Sequence, residues 1–175
     1  AVRNLDEDER AELNKAPYTE AELKRETGVP AAWGEAEYRL HERIGARPTL
    51  EVNGLVSGWT GHGAKTVLPA KALAKISCRL VADQKPQAIY ELVKAYVAQI
   101  TPPTVTSEVR LLHTGSSAIT DRHSPVMEAA MAAYEEAWGR RPIFMREGGS
   151  IPVVALMQDV LHAPVVLMGF GLPDD

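Results

Sequence analysis

The sequence predicts an α+β fold: a ferredoxin-like antiparallel sheet with helices on one face, followed by an α/β segment. Three observations predict it. Residues 71–81 (KALAKISCRLV) place Ala72, Ala74, Ile76, Cys78 and Leu80 in strict alternation with Leu73, Lys75, Ser77, Arg79 and Val81, the period of a strand with one buried face. Residues 85–100 carry Ile89, Leu92, Val93, Tyr96, Val97 and Ile100, one apolar stripe at helical spacing. Beyond Gly115 the order changes to helix, strand, helix, strand, as in a layered α/β sheet.

Before the sheet, residues 1–46 read as three short helices. The first, over 6–15, is charged, with Leu5 and Leu13 as its main apolar points. The second begins at Thr19-Glu20-Ala21-Glu22, a capping-box spacing, and Gly28 stops it before Pro30. The third, over 35–44, ends at Gly45. Their weak apolar content suggests a surface excursion rather than a core. Residues 48–52 then read as a strand, followed by Asn53-Gly54 and a stretch with Gly58, Gly61 and Gly63. After the helix over 85–100, Thr101-Pro102-Pro103 stops it and residues 105–113 alternate as a further strand. Ser124 and Pro125 open a helix that Gly139 closes, residues 142–145 make a short strand, 150–161 a helix and 165–168 a buried strand. The change of pattern marks a boundary between domains at 1–114 and 115–175.

Composition narrows the function classes. The chain has 175 residues, 45% hydrophobic and 24% charged, the balance of a globular protein. A net charge of −4 gives no basic field for nucleic acid. No apolar run reaches the roughly 20 residues of a membrane helix, and AVRNLDEDER has no signal-peptide core. The single cysteine, Cys78, permits no intrachain disulfide, which fits a cytoplasmic protein. His41, His62, His113, His123 and His162 show no HxH, HExxH or CxxC-type spacing, so no metal is expected on this chain alone.

Four stretches could carry chemistry. The glycines of 57–66 (SGWTGHGAKT) suit a backbone that approaches a ligand, or a loop between strands; the phosphate-loop spacing is absent. Arg79, on the less apolar strand face, can grip a carboxylate with two prongs or stand solvated. His113, near Gly115, can hydrogen-bond a substrate oxygen, shuttle a proton, or be structural. Arg146-Glu147-Gly148-Gly149-Ser150-Ile151-Pro152 joins strand to helix. Its free helix-start amides and the Ser150 hydroxyl make an anion site, or Ser150 is an ordinary N-cap. A nucleophilic Ser150 lacks the GxSxG frame.

Together with 47–54 (RPTLEVNG), 61–70 (GHGAKTVLPA), 74–81 (AKISCRLV) and 169–175 (GFGLPDD), that segment resembles metallopeptidase family 20. This group includes aminoacylases, carnosinases, cytosolic nonspecific dipeptidase and succinyl-diaminopimelate desuccinylase. The resemblance runs from about Arg47 to the end of the chain, and residues 1–46 read as a helical insertion. It implies a two-domain hydrolase acting on a dipeptide or N-acyl amino acid. A catalytic domain would hold two zinc ions, and an inserted α+β lid would pair with the lid of a second subunit. By the same resemblance Thr66 contacts substrate across the dimer, Arg79 and Ser150 bind its carboxylate end, His113 lines the cleft, and Gly148 and Gly149 shape the turn. The zinc ligands and catalytic glutamate belong to segments this chain does not carry, so it is expected to be truncated at both ends, to bind no zinc and to be inactive alone. Two other functions compete: a free-standing dimerisation or small-molecule-binding module, and a serine hydrolase using Ser150 and His113.

Overall fold

Local capping starts the first helices. In the computed structural model, which describes residues 2–147 and 151–170, Asp6 caps α1 (Glu7–Leu13). The Asp6 carboxylate accepts from the Glu9 amide at 2.7 Å, and the Glu9 carboxylate accepts from the Asp6 amide at 3.2 Å. Thr19 and Glu22 exchange the same two bonds at the start of α2 (Glu20–Thr27), and Gly28 closes it at φ 73°, as their spacing predicts.

The third helix departs from expectation. α3 spans Leu40–Ala46 and runs through Gly45. The residues just before it are held in a turn, with the Tyr38 amide donating to the Glu35 carbonyl at 3.2 Å and Arg47 forked onto the Glu35 carboxylate. Gly45 is not a stop, because it is buried against the backbone of Arg146: a Cβ there would lie 2.7 Å from the Arg146 Cβ. Nor are residues 1–46 peripheral. Leu5, Leu13 and Ala46 form a buried apolar cluster, and His41 and Glu42 are buried with them. Sparse apolar positions underestimated this region because polar side chains fill its interior with their hydrogen bonds satisfied.

β1 (Thr49–Ser57) and β2 (Ala72–Arg79) pair antiparallel. Asn53-Gly54 does not end the first strand. Val52 pairs with Ile76 and Gly54 with Lys75, which leaves Asn53 as the extra residue of a bulge. The alternation in β2 predicted its strand correctly and its burial wrongly. Leu55 is 72% exposed and Ile76 46% exposed, and only Cys78 of the strand is half-buried. Period-2 patterning reports a face suited to being covered; two strands by themselves have no second layer to cover it.

α4 (Pro86–Ile100) follows with Pro86 in its first turn. Ile89, Tyr90, Val93 and Val97 are half-buried, whereas Leu92, Tyr96 and Ile100 of the expected stripe are exposed. The Tyr90 hydroxyl donates to the Val109 carbonyl at 3.2 Å, tying α4 to the segment after it. That segment, 105–113, forms no ladder among the described residues, and neither do 142–145 and 165–168. The sheet described is therefore two-stranded, and its predicted further strands are chain without a strand partner. α5 (Pro125–Trp138) begins after Ser124, whose hydroxyl donates back to the Asp121 carbonyl at 2.9 Å instead of capping, and ends at Gly139 with φ 74°. α6 (Pro152–Leu161) has Ile151 as its N-cap, with no side-chain cap bond. Ser150, read from the sequence as a possible N-cap, lies outside the described residues. Gly115 abuts Pro152, and Gln158 donates to the Ile119 carbonyl at 3.0 Å.

Candidate functional site

Three of the expected substrate-binding residues stand on separate parts of the chain. Thr66 is exposed in the loop between β1 and β2, where Gly58 and Gly63 take positive φ (67° and 84°) that side chains disfavour, and the Lys65 ammonium sits 5.2 Å from the Trp59 ring centre. Arg79 ends β2 opposite Thr49 and is exposed. The chain plunges directly after it, because Leu80, Val81 and Ala82 are buried. His113 is exposed beyond α4. Gly149 and Ser150, with Gly148, lie outside the described residues. Two open grooves, of about 570 and 470 Å³, are lined by other residues, among them Tyr18, Tyr38 and His41 in one and Asp8, Arg122 and Glu128 in the other.

The approach to the turn was not legible in the sequence. Over 141–147 the exposed residues Arg141, Ile143, Met145 and Glu147 alternate with half-buried Pro142, Phe144 and Arg146, the period of extended backbone lying on a support. The support is the amino-terminal helices. The Arg146 guanidinium pairs with the Glu9 carboxylate, which Arg3 also holds at 2.6 Å. Burial pulls the basicity of Arg146 below its ordinary value, and the Glu9 charge opposes that pull. A second tie lies nearby: Arg122 reaches Asp8 at 2.5 Å and Asp6 at 3.6 Å. The spacing Asp6-x-x-Glu9, a capping box, signals only the start of α1 and not the pairing of Glu9 with Arg146.

Inside the same helices Glu42 is 1% exposed. It accepts from Arg10 Nη1 at 2.9 Å, Asn14 Nδ2 at 3.1 Å and the Arg39 amide at 3.0 Å. The Tyr38 ring lies between two guanidinium groups, 5.1 Å from Arg10 and 4.4 Å from Arg47. These groups are mutually satisfied, so they form a structural frame and not a reactive centre. Among the described residues no three His, Cys, Asp or Glu side chains converge to hold a metal. The donor set present does not fit one, and no chemical step can be derived through a metal here.

The class of protein follows from comparison. The peptidase dimerisation domain model of the M20 family matches residues 3–105, more than half of the chain, and the chain belongs to this family. It is 32% identical over 162 residues to the Cys-Gly metallodipeptidase dug1 of Schizosaccharomyces pombe, covering 90% of this chain and 34% of that protein. It superposes on the dipeptidase Dug1p of Saccharomyces cerevisiae with a TM-score of 0.79 and 30% identity, over 99% of this chain and 37% of that one. An M20 metallo-carboxypeptidase of Sulfolobus solfataricus matches with a TM-score of 0.76 and 27% identity, over 92% and 36% of the two chains. The chain thus spans about a third of the length of these relatives. No helix among the described residues is long and apolar enough to cross a membrane.

Proposed function

We propose that this chain is the lid and dimer-contact region, with the first part of the following catalytic segment, of a cytoplasmic zinc-dependent dipeptidase. The boundary between the two falls near residue 114. The observation that carries the reading is the family match combined with an uncovered sheet. Leu50, Val52, Leu55 and Val56 of β1 and Leu73 and Ile76 of β2 are all exposed, more apolar ribbon than a finished fold leaves to water. A second lid would cover it. The relatives named as metallodipeptidases support the substrate class, a dipeptide with a free carboxylate.

In this reading the chain clamps and orients, and the two zinc ions are held by residues elsewhere in the longer protein. Arg79 is suited to the clamp. It is an exposed guanidinium at the end of a strand whose continuation, 80–82, is buried and therefore fixed. A planar fork on a fixed stem matches the two oxygens of a carboxylate. Thr66 meets substrate from the partner lid, His113 lines the cleft, and Gly149 and Ser150 receive the carboxylate from the side of the catalytic segment. Binding one anion from both domains favours closure over the reacting bond.

Kinetics of the full-length enzyme on a dipeptide and on its C-terminal amide test this. Arg79→Ala should lower kcat/KM for the dipeptide about 10- to 150-fold, the equivalent of about 1.5–3 kcal/mol for a charge-assisted bond, and spare the amide. Arg79→Lys should recover only part of the loss. Equal slowing of both substrates refutes the carboxylate role.

A further inference from the structure

The amino-terminal helices stand outside the clamp just described, and the bonds that hold them run to the later part of the chain. Arg122 reaches Asp8 at 2.5 Å and Asp6 at 3.6 Å. Arg146 pairs with Glu9, which Arg3 also holds at 2.6 Å. The Arg122, Arg146 and Glu9 side chains are only 18%, 23% and 12% exposed, so these are not loose surface pairs. A steric contact joins them. Gly45 of α3 lies so close to Arg146 that an added Cβ would stand 2.7 Å from its Cβ.

The stretch between has no such ties. Among the described residues no hydrogen bond or ion pair links 48–113 to 1–47 or to 115–170. Its polar contacts are internal. β1 and β2 pair with each other, Ser77 donates to Asn53 at 3.0 Å, and Arg110 forks onto Glu108. The Val81 amide donates to the Gln84 side chain at 3.0 Å, and the Tyr90 hydroxyl to Val109. Leu80, Val81 and Ala82 are buried, but apolar burial has no direction and does not lock an orientation.

The chain passes between these two sets of residues twice, and each crossing is pinned on the same side. At the first, Arg47 is forked onto the Glu35 carboxylate, and its guanidinium lies 4.4 Å from the Tyr38 ring centre. At the second, Gly115 abuts Pro152. Pro48 at one crossing, and His113 and Thr114 at the other, are the residues left to turn. Bodies within a chain divide where few contacts cross, and hinges are a few residues at the ends of elements.

We infer that residues 1–47 belong to the body that carries 115–147, latched to it by ion pairs, and that 48–113 swings against this body about Pro48 and His113–Thr114. The boundary near residue 114 thus has a counterpart at 47–48. The division stands without the dipeptidase reading; with it, Thr66 and Arg79 travel together while the amino-terminal helices stay behind.

Distances between spin labels on the 175-residue chain test this. Cys78→Ser removes the native thiol, and labels are placed at exposed helix positions through Ala11→Cys on α1, Lys94→Cys on α4 and Glu136→Cys on α5. Double electron–electron resonance on frozen chain, diluted into excess unlabelled chain, reads the spread of each distance. The Ala11–Glu136 pair should give one narrow peak. The Lys94–Glu136 pair should be at least about twice as wide, as for a hinged domain. A Lys94–Glu136 peak as narrow as the other overturns the hinge, and an Ala11–Glu136 peak as wide overturns the latched body. Asp8→Asn/Glu9→Gln keeps both volumes and the acceptor on the α1 cap while removing two charges from the latch. It should widen the Ala11–Glu136 distribution and leave far-ultraviolet circular dichroism unchanged. A folded variant with that peak still narrow refutes the ionic latch. None of these readings involves turnover, so their failure is distinct from failure of the dipeptidase reading, which the amide and dipeptide kinetics decide.

Discussion

Removing the Glu42 carboxylate should cost this chain more than removal of any surface charge. In Glu42→Ala, the Arg39 N–H loses its acceptor at 3.0 Å, the Asn14 amide keeps the Arg10 carbonyl but loses its second acceptor at 3.1 Å, and Arg10 loses a partner at 2.9 Å. A buried donor left without an acceptor costs about 1–3 kcal/mol. The Arg10 side chain is 36% exposed, so it can turn to water and adds little. Asn14 is half-buried and Arg39 is exposed, which favours the lower half of the range for each. The loss should be about 2–3 kcal/mol. Glu42→Gln preserves the volume and one acceptor oxygen but points an amide N–H at groups that also donate, so about 1–2 kcal/mol is expected. Arg10→Ala should cost less than Glu42→Ala, since it leaves a carboxylate still held by two donors. Urea unfolding followed by far-ultraviolet circular dichroism measures all three from midpoint and slope. A loss below about 1 kcal/mol for Glu42→Ala, or equal losses for alanine and glutamine, would refute the argument that a satisfied buried carboxylate organises these helices.

Acid should loosen the same region. A hydrogen bond and charge from Arg47 hold the Glu35 carboxyl below its usual range, bonds from Thr19 do so for Glu22, and the Glu9 amide does so for Asp6. A carboxyl lowered on folding contributes stability that is fully present above its unfolded pKa and is lost as pH falls through the folded one. Unfolding midpoints should hold steady down to about pH 5 and fall below about pH 4, more gently in a Glu22→Gln/Glu35→Gln double variant; a rise in stability on acidification across that window would contradict the assignments. Burial, and then the nearby Glu51 charge, pushes the Cys78 thiol up, so iodoacetamide at pH 8 should label it more slowly than it labels free cysteine, and labelling at the free-thiol rate would show β2 to be open. The exposed apolar ribbon of β1 and β2 should drive self-association at micromolar concentration in sedimentation velocity, weakened by Leu55→Lys. A monomer throughout would count against the lid contact.

The sequence by itself determined what short-range chemistry controls. Thr19 and Glu22, three residues apart, set the start of α2, and Gly28 and Gly139 set two helix ends through a left-handed backbone that favours glycine. The alternation of 72–80 specified β2 almost to the residue, because a strand writes its period into its own side chains. The residues of 47–54, 61–70, 74–81 and 146–152 were enough to identify the family, since each combination of turn glycines and polar positions is long and specific.

What the sequence left open depends on partners remote along the chain. Gly45 looked like a helix stop and is instead a close contact with Arg146; Asn53-Gly54 looked like the end of a strand and is a bulge within it. Glu9 and Arg146 are separated by 137 positions, and no local pattern announces an ion pair at that distance. Residues 1–46 read as peripheral because their apolar side chains are few, yet Glu42, Asn14, Arg10 and Tyr38 fill the interior with satisfied polar groups. Patterning records which faces can be buried; only the tertiary structure decides which are covered. It leaves the β1–β2 ribbon open and closes the helices around a carboxylate, because covering a face needs a second layer and burying a charge needs donors, and both come from elsewhere in space.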